Sequence, residues 1–277
     1  MTAPAAPAPS PTDVERRGAR TGSGRLVARL EGGRTVLAEA HATSPLRFVR
    51  PDFPTRSAGV CLVTFGGGLV DGDAIDTAID VGPGATLLVF TQASTKVFRG
   101  ASRQSIRARV AGTLVLLPDP VAAFKDASYT QRVDVELTAP EASCVLLDGF
   151  TSGRAAYGER WQMRALDLRT TVRAEGRDVL VDALRLDGAI AEQAASFEAF
   201  LTLVAVGAGA RTVAEAIAAA PPPPTRDLAL ATSPLLRAPG AALRVAASSP
   251  AAAIAAARAR LRNLPDIDVV DPFSSRY

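Results

Sequence analysis

Oxygen-bearing side chains collect in four short runs of this chain. The first is Gly66-Gly67-Gly68-Leu69-Val70-Asp71-Gly72-Asp73, a glycine cluster closed by two carboxylates. The second is Thr91-Gln92-Ala93-Ser94-Thr95-Lys96-Val97-Phe98-Arg99. The third is Pro118-Asp119-Pro120-Val121 with Phe124, Asp126 and Ala127 behind it. The fourth is Thr151-Ser152-Gly153-Arg154 followed by Tyr157-Gly158-Glu159-Arg160-Trp161. A phosphate loop would end in Gly-Lys-Ser/Thr and lead into a helix whose amides face the phosphates. Here Asp71 and Asp73 occupy that end and a strand-like alternation follows, so the charge repels a triphosphate. His41 is the only histidine, so a Ser-His-Asp triad could be built one way only; a Ser94–Lys96 pair is the other formal nucleophile. Asp126 and Glu159 could serve as the two carboxylates of a glycosidase, but sugar sites normally offer stacked aromatics and only 5% of this chain is aromatic. Tight sites for zinc or nickel take imidazole or thiolate. One histidine and two isolated cysteines, Cys61 and Cys144, do not make one. What remains is carboxylate, hydroxyl and carbonyl oxygen, a donor set that holds a transition ion weakly and suits passage better than storage.

The elements that must position these runs are mostly strands. Ile75, Thr77, Ile79 and Val81 alternate with Asp76, Ala78 and Asp80. Gln104, Ile106, Ala108 and Val110 alternate with Arg103, Ser105, Arg107 and Arg109, and Tyr129, Gln131, Val133, Val135 and Leu137 with Arg132, Asp134 and Glu136. Thr86–Thr91 and residues 114–117 read as buried apolar strands. Further strands are expected at 144–147, 160–166, 170–173, 179–186 and 200–206. Turn signals recur about every ten residues, the spacing of sandwiches, barrels and β-solenoids. Helices are expected at 213–220, capped by Thr212 and ended by the Pro221–Pro224 run, and at 251–264, after Ser249-Pro250. Residues 1–20 read as a disordered leader without the apolar stretch of a secretory signal, and 21–277 as one domain. The net charge is only +3, the arginines are dispersed, and no apolar run reaches the ~18 residues of a membrane span. Neither nucleic acid nor membrane is an expected partner. The two cysteines read as buried thiols of a cytoplasmic protein.

In this order and at these separations, the runs resemble the UreD (UreH) family of urease accessory proteins. Ser44-Pro45-Leu46-Arg47 with Arg50-Pro51 is similar to that family's early Pro-Leu strand, and Gly67-Gly68-Leu69-Val70-Asp71-Gly72-Asp73 to its Gly-Gly-x-x-x-Gly-Asp turn. Residues 91–99 resemble its Thr-x-x-Ala/Ser-Thr-Lys segment, residues 117–126 its Leu-Pro loop, and Gly153-Arg154 with Gly158-Glu159 its Gly-Arg-x-x-x-Gly-Glu signature. The resemblance implies a mainly β single domain of many short strands, solenoid- or superhelix-like, with about two α-helices toward the C-terminus. It also implies a non-catalytic chaperone that binds a UreF-like accessory protein, a UreG-like GTPase and the urease apoprotein. In that role no cofactor is tightly bound: Ni(II) is transient and GTP belongs to the partner alone.

On this reading Asp71, Asp73, Asp126 and Glu159 are candidates to face a polar passage as a weak transit site for the metal. Ser94, Thr95 and Lys96 line the passage or brace the motif, and Gly67, Gly68, Gly72, Gly153, Arg154 and Gly158 shape the turns. The alternative from another class is a β-solenoid hydrolase using an Asp/Glu pair.

Overall fold

The computed structural model describes residues 21–51, 55–188, 190–194, 196–219 and 221–261. The expected leader, residues 1–20, lies outside the described residues. The strands are β1 (Thr21–Glu31), β2 (Arg34–Ala42), β3 (Leu46–Val49), β4 (Ala58–Thr64), β5 (Ala74–Val81), β6 (Thr86–Thr91), β7 (Lys96–Val97), β8 (Gly100–Val110), β9 (Thr113–Leu117), β10 (Val121–Ala123), β11 (Ala127–Leu137), β12 (Ser143–Thr151), β13 (Gly153–Arg154), β14 (Glu159–Arg160), β15 (Ala165–Ala174), β16 (Arg177–Asp187), β17 (Ala199–Val206), β18 (Leu228–Pro234) and β19 (Gly240–Ala247). The helices are α1 (Ile190–Gln193), α2 (Arg211–Ala218) and α3 (Pro250–Arg258).

Two sheets hold nearly all of this, and the chain alternates between them. The outer sheet runs β16-β15-β11-β8-β5-β1-β2 and the inner sheet β18-β19-β17-β12-β9-β6-β4-β3. From β4 to β15 each strand that returns to a sheet pairs parallel to its predecessor there. In the inner sheet Leu87 pairs with Ala58 and Leu114, and Leu114 with Cys144; in the outer sheet Ile106 pairs with Thr77 and Val133, and Val133 with Thr170. Antiparallel strands close the edges, β2 and β16 on one sheet, β3 and β17 to β19 on the other.

The burial pattern shows why the sequence sorts this way. Outer-sheet strands alternate buried and more accessible residues, as in β11, whereas inner-sheet strands such as β6 and β9 are almost continuously buried. One-sided burial produces alternation and two-sided burial an unbroken apolar run. Leu26, Ile75, Val89, Leu116, Val135 and Leu146 belong to the core between the sheets. Leu88, Val115 and Leu203 pack on the inner sheet's other face against Val213 and Ile217 of α2 and Ala253 and Ala257 of α3. The fold is therefore mainly β, in three layers. Cys61 and Cys144 are both buried and free, and no described helix is long and apolar enough to cross a membrane.

All four motif runs fall at one corner of the winding. Leu69 bridges Val97 in parallel, β7 pairs with β10, and β10 pairs with β12. The Leu69 amide donates to the Lys96 carbonyl and the Phe98 amide to the Leu69 carbonyl, each at 2.8 Å; the Phe124 amide donates to the Val97 carbonyl at 2.9 Å. Each run thus stacks on the equivalent run of the next coil. The stack demands glycine at the points of closest approach: a Cβ on Gly68 (φ +154°) would sit 2.3 Å from the Lys96 carbonyl oxygen, and one on Gly153 (φ +103°) 2.7 Å from that of Ala123.

Several expectations need correction. Among the described residues three α-helices are present rather than two, since α1 was not anticipated. Thr212 lies inside α2, whose N-cap is Ala210 without a side-chain bond; Ser249 does cap α3, its hydroxyl accepting from the Ala252 amide at 3.2 Å. The segment expected as one strand over 160–166 is broken: Trp161 takes a left-handed φ of 56°, ending β14, and β15 begins at Ala165. β18 and β19 were not foreseen, because alanine-rich runs such as Gly240–Ala247 carry little intrinsic strand preference and form here by pairing with β17.

The corner stack predicts a contrast between adjacent glycines. Gly68→Ala must displace a backbone carbonyl and should cost about 3 kcal/mol, roughly 6–12 °C in Tm. Gly66→Ala, with φ +85° and nothing within 4 Å of its Cβ, should lose only the left-handed preference, about 1 kcal/mol. Equal losses in thermal unfolding would contradict the stacked corner.

Candidate functional site

The four acids singled out in the sequence are held by the corner. Asp71 Oδ1 accepts from the Ala101 amide at 2.7 Å, while the Gly72 amide donates to the Ala101 carbonyl at 2.7 Å, so this turn clasps the next coil. Asp73 is buried, and its Oδ2 accepts from the Val70 amide at 2.9 Å across the same turn. Asp126 adopts a left-handed φ of 61°; its amide donates to the Gln162 carbonyl at 3.0 Å and its carbonyl accepts from Gly100. Glu159 is gripped by Arg154, with Nε to Oε2 at 2.9 Å and Nη2 to Oε1 at 2.5 Å. That guanidinium lies 4.4 Å over the Phe124 ring and 5.5 Å from the Tyr157 ring centroid, and it holds the Glu159 carboxyl below the usual carboxylate range. Asp126 and Glu159 share no hydrogen bond among the described residues, and an acid kept ionised by arginine is unsuited to protonating a leaving group. Lys96 is exposed and Ser94 half-buried; Thr95 alone of the candidate residues lines an interior cavity.

That cavity, about 30 Å³, lies between the two sheets, where an apolar core would be expected. Its polar lining comprises Thr91, Gln104, Asp119, Gln131, Asp148 and Thr170. The Thr91 hydroxyl donates to Asp119 Oδ2 at 2.9 Å and accepts from the Asp119 amide at 2.8 Å. Gln131 Nε2 donates to Asp148 Oδ1 at 2.8 Å, which leaves Gln131 Oε1 to accept from the buried Tyr129 hydroxyl at 3.0 Å. The tyrosine has one proton, so Gln104, also 3.0 Å away, must turn its amide nitrogen toward it. Thr170 donates to Asp148 Oδ2 and the Gly149 amide to Oδ1, both at 2.7 Å. Neighbouring strands supply these residues in register: Gln104 opposite Gln131, Asp148 opposite Thr202, Thr170 opposite Asp182. A row of polar side chains therefore runs across the strands, through the middle of the sandwich.

Asp148 is the centre of this row. All three of its donors are neutral, and it makes no ion pair among the described residues. Burial pushes its carboxyl above the usual range, the three hydrogen bonds oppose that, and the negative charge of Asp182 adds to it. The row is also wide enough to admit more than its own side chains, since ~30 Å³ of this kind exceeds the 10–15 Å³ that one water needs. The hydroxyls of Thr77 and Ser102, on the same inward faces of β5 and β8, are buried without a protein partner. Asp148 and Gly149 then border a second, open cleft of about 260 Å³, walled by Phe150, Leu168, Leu184 and Phe200 and crossed at its mouth by Asp182 and Arg244. The described residues contain no group of three or more His, Cys, Asp or Glu able to cage a metal. Cys144 is no ligand in waiting, since burial pushes its thiol up to about 12.

Sequence reasoning missed Asp148, Asp119, Gln104, Gln131 and Thr170 as site residues. Two signals were available. Gln104 and Gln131 stand at inward positions of their alternating strands, and Asp148 follows directly on the apolar run 144–147.

The UreD urease accessory protein family model matches residues 20–266. A urease accessory protein UreD from Sorangium cellulosum is 44% identical over 95% of this chain and 86% of its own length. One from an Anaeromyxobacter species is 38% identical over 96% of this chain and 94% of its own. Urease accessory protein D of Arabidopsis thaliana is 31% identical over 67% of this chain and 68% of its own. With a family model matched across nearly the whole described body and relatives alike along most of their lengths, this chain belongs to the UreD family of urease accessory proteins.

Proposed function

We propose that the chain is a non-catalytic urease accessory protein whose two-sheet body conducts nickel toward apo-urease. The observation that carries this reading is Asp148: a half-buried carboxylate, without a counter-cation among the described residues, set in a transverse polar row that opens into a cleft. The coil from β4 to β15 reads as a solenoid body whose axis this row follows. UreF-like and UreG-like partners supply the ion and the GTP hydrolysis that releases it, in the cytoplasm. GTP stays with the partner, and nickel is cargo, never a resident cofactor.

The donor chemistry suits transit. A single carboxylate partly shielded from water attracts a divalent cation more strongly than one in bulk solvent, while the amide and hydroxyl oxygens around it are hard, neutral and poorly matched to nickel. An ion would be drawn in without being trapped. Burial raises the proton affinity of the Asp148 carboxyl while its three donors lower it, so an arriving cation competes there with a proton. The corner acids Asp71, Asp73, Asp126 and Glu159 hold the wall of this passage by fixing each coil to the next, with Thr95 on the lining. A hydrolase is disfavoured by the Arg154 clamp on Glu159.

Two measurements separate this from a purely structural role. Asp148→Asn keeps size and most hydrogen bonds but removes the charge. With UreF- and UreG-like partners, urease activation should fall at least ~10-fold while pull-down shows the complex intact, the size expected when a buried charged hydrogen-bonding group is lost. Undiminished activation by assembled D148N would rule the passage out. The stability of the same variant should move the other way. A carboxyl whose folded pKa is raised favours the folded state fully at pH below its unfolded value, and loses that contribution as pH rises through the folded pKa. At pH 7.5 D148N should therefore be the more stable protein, with the higher Tm, and the gap should close as pH falls through the ordinary carboxylate range. A variant less stable than the parent at pH 7.5 would show that the carboxylate is a structural asset.

A further inference from the structure

The mouth of the open cleft carries a device that the passage alone does not require. Arg244 Nη2 donates to Asp182 Oδ1 at 2.5 Å, joining β19 of the inner sheet to β16 of the outer one. Across the inner sheet Asp148 lies opposite Thr202 and Thr202 opposite Arg244; across the outer sheet Thr170 lies opposite Asp182. Polar ties therefore cross the gap between the sheets at two levels, Asp148 to Gln131 and Thr170 inside and Arg244 to Asp182 at the rim. The rim partners are unequal: the Asp182 side chain is 16% exposed and that of Arg244 65%. Asp182 is fixed in the wall, and the arginine reaches in from solvent.

We propose that Arg244 is a tethered counter-ion that plugs this mouth by occupying the cation position beside Asp182, and that it must swing aside for a divalent ion to pass between Asp148 and solvent or a docked partner. The inference rests on the passage reading above and adds its regulation. A guanidinium is charged at every accessible pH, so it repels an incoming cation and neutralises the nearer of the two carboxylates. The negative charge of Asp182 is felt at Asp148, so freeing Asp182 makes both acids available to the same ion. Opening costs little, since a half-solvated ion pair holds by about 0–1 kcal/mol. The plug therefore keeps bulk cations out of the row without locking it.

The test is Ni(II) binding to the full-length chain by equilibrium dialysis, with NiCl₂ as the only metal, for the parent, Arg244→Gln, Arg244→Lys and Arg244→Gln/Asp182→Asn. R244Q should bind at least ~10-fold more tightly than the parent, R244K like the parent, and the double variant should lose the gain. Parent-like binding by R244Q, or a gain that survives Asp182→Asn, overturns the plug. Circular dichroism on each variant excludes misfolding as the source of any gain. The two readings fail separately: normal activation by assembled D148N together with a gain in R244Q removes the passage and leaves the plug. Lost activation in D148N with no gain in R244Q removes the plug alone.

Discussion

Everything else in the structure is arranged around a carboxylate held half-buried between two β-sheets, where the polar row meets the cleft. An isolated buried charge is costly, and proteins normally pair it or replace it with an apolar side chain. Here three neutral donors from three places in the fold, Gln131 on the outer sheet, Thr170 beside it and the Gly149 amide on the inner sheet, reach Asp148 at 2.7–2.8 Å. Hydrogen bonding of this quality makes the site tolerable but leaves its charge unneutralised. A fold selected for stability alone gains little from it, which is in keeping with the proposed role in handling a cation that visits.

Holding that group demands rigidity in both walls, and the corner ladder provides it. Pairing between successive coils from β4 to β15 is parallel, so each must land in register or every inward side chain would shift to the wrong face. Leu69, Val97 and Ala123 stack coil upon coil, with Asp71 and Asp73 tying down the first turn and the Arg154–Glu159 pair the last. Close backbone approach at Gly68 and Gly153 makes the stack possible. The motifs that identify the family thus act at a distance from the interior row, through geometry. Their acids are spent on amides and on a guanidinium, which is why conspicuous carboxylates at turns need not be the ones that meet an ion.

The limits of reading the sequence follow from the same physics. Outer-sheet strands such as β5, β8 and β11 were legible because one wet face enforces alternation, and β6 and β9 because burial on both faces leaves an apolar run. The order of strands within each sheet was not, since parallel pairing between coils leaves no local mark comparable to a hairpin turn. Trp161 in a left-handed conformation and the alanine-rich β19 are tertiary outcomes that local preference opposes. At the site the donor type was legible in kind, since the cavity is lined by the hydroxyl, amide and carboxylate oxygens in which the sequence is rich. Its address was not, because a lone glutamine in an inward register and one aspartate after an apolar run look locally like minor faults in a core. They become a feature only when Gln104, Gln131, Asp148 and Thr170 are seen to line one cavity.

The most direct test of the account is to see the ion. Crystals of the chain assembled with its accessory partners and urease, loaded with nickel and measured at the nickel absorption edge, should show anomalous density between the sheets against the Asp148 carboxylate. Density at Asp71, Asp73 or Glu159 on the corner, with none beside Asp148, would contradict it.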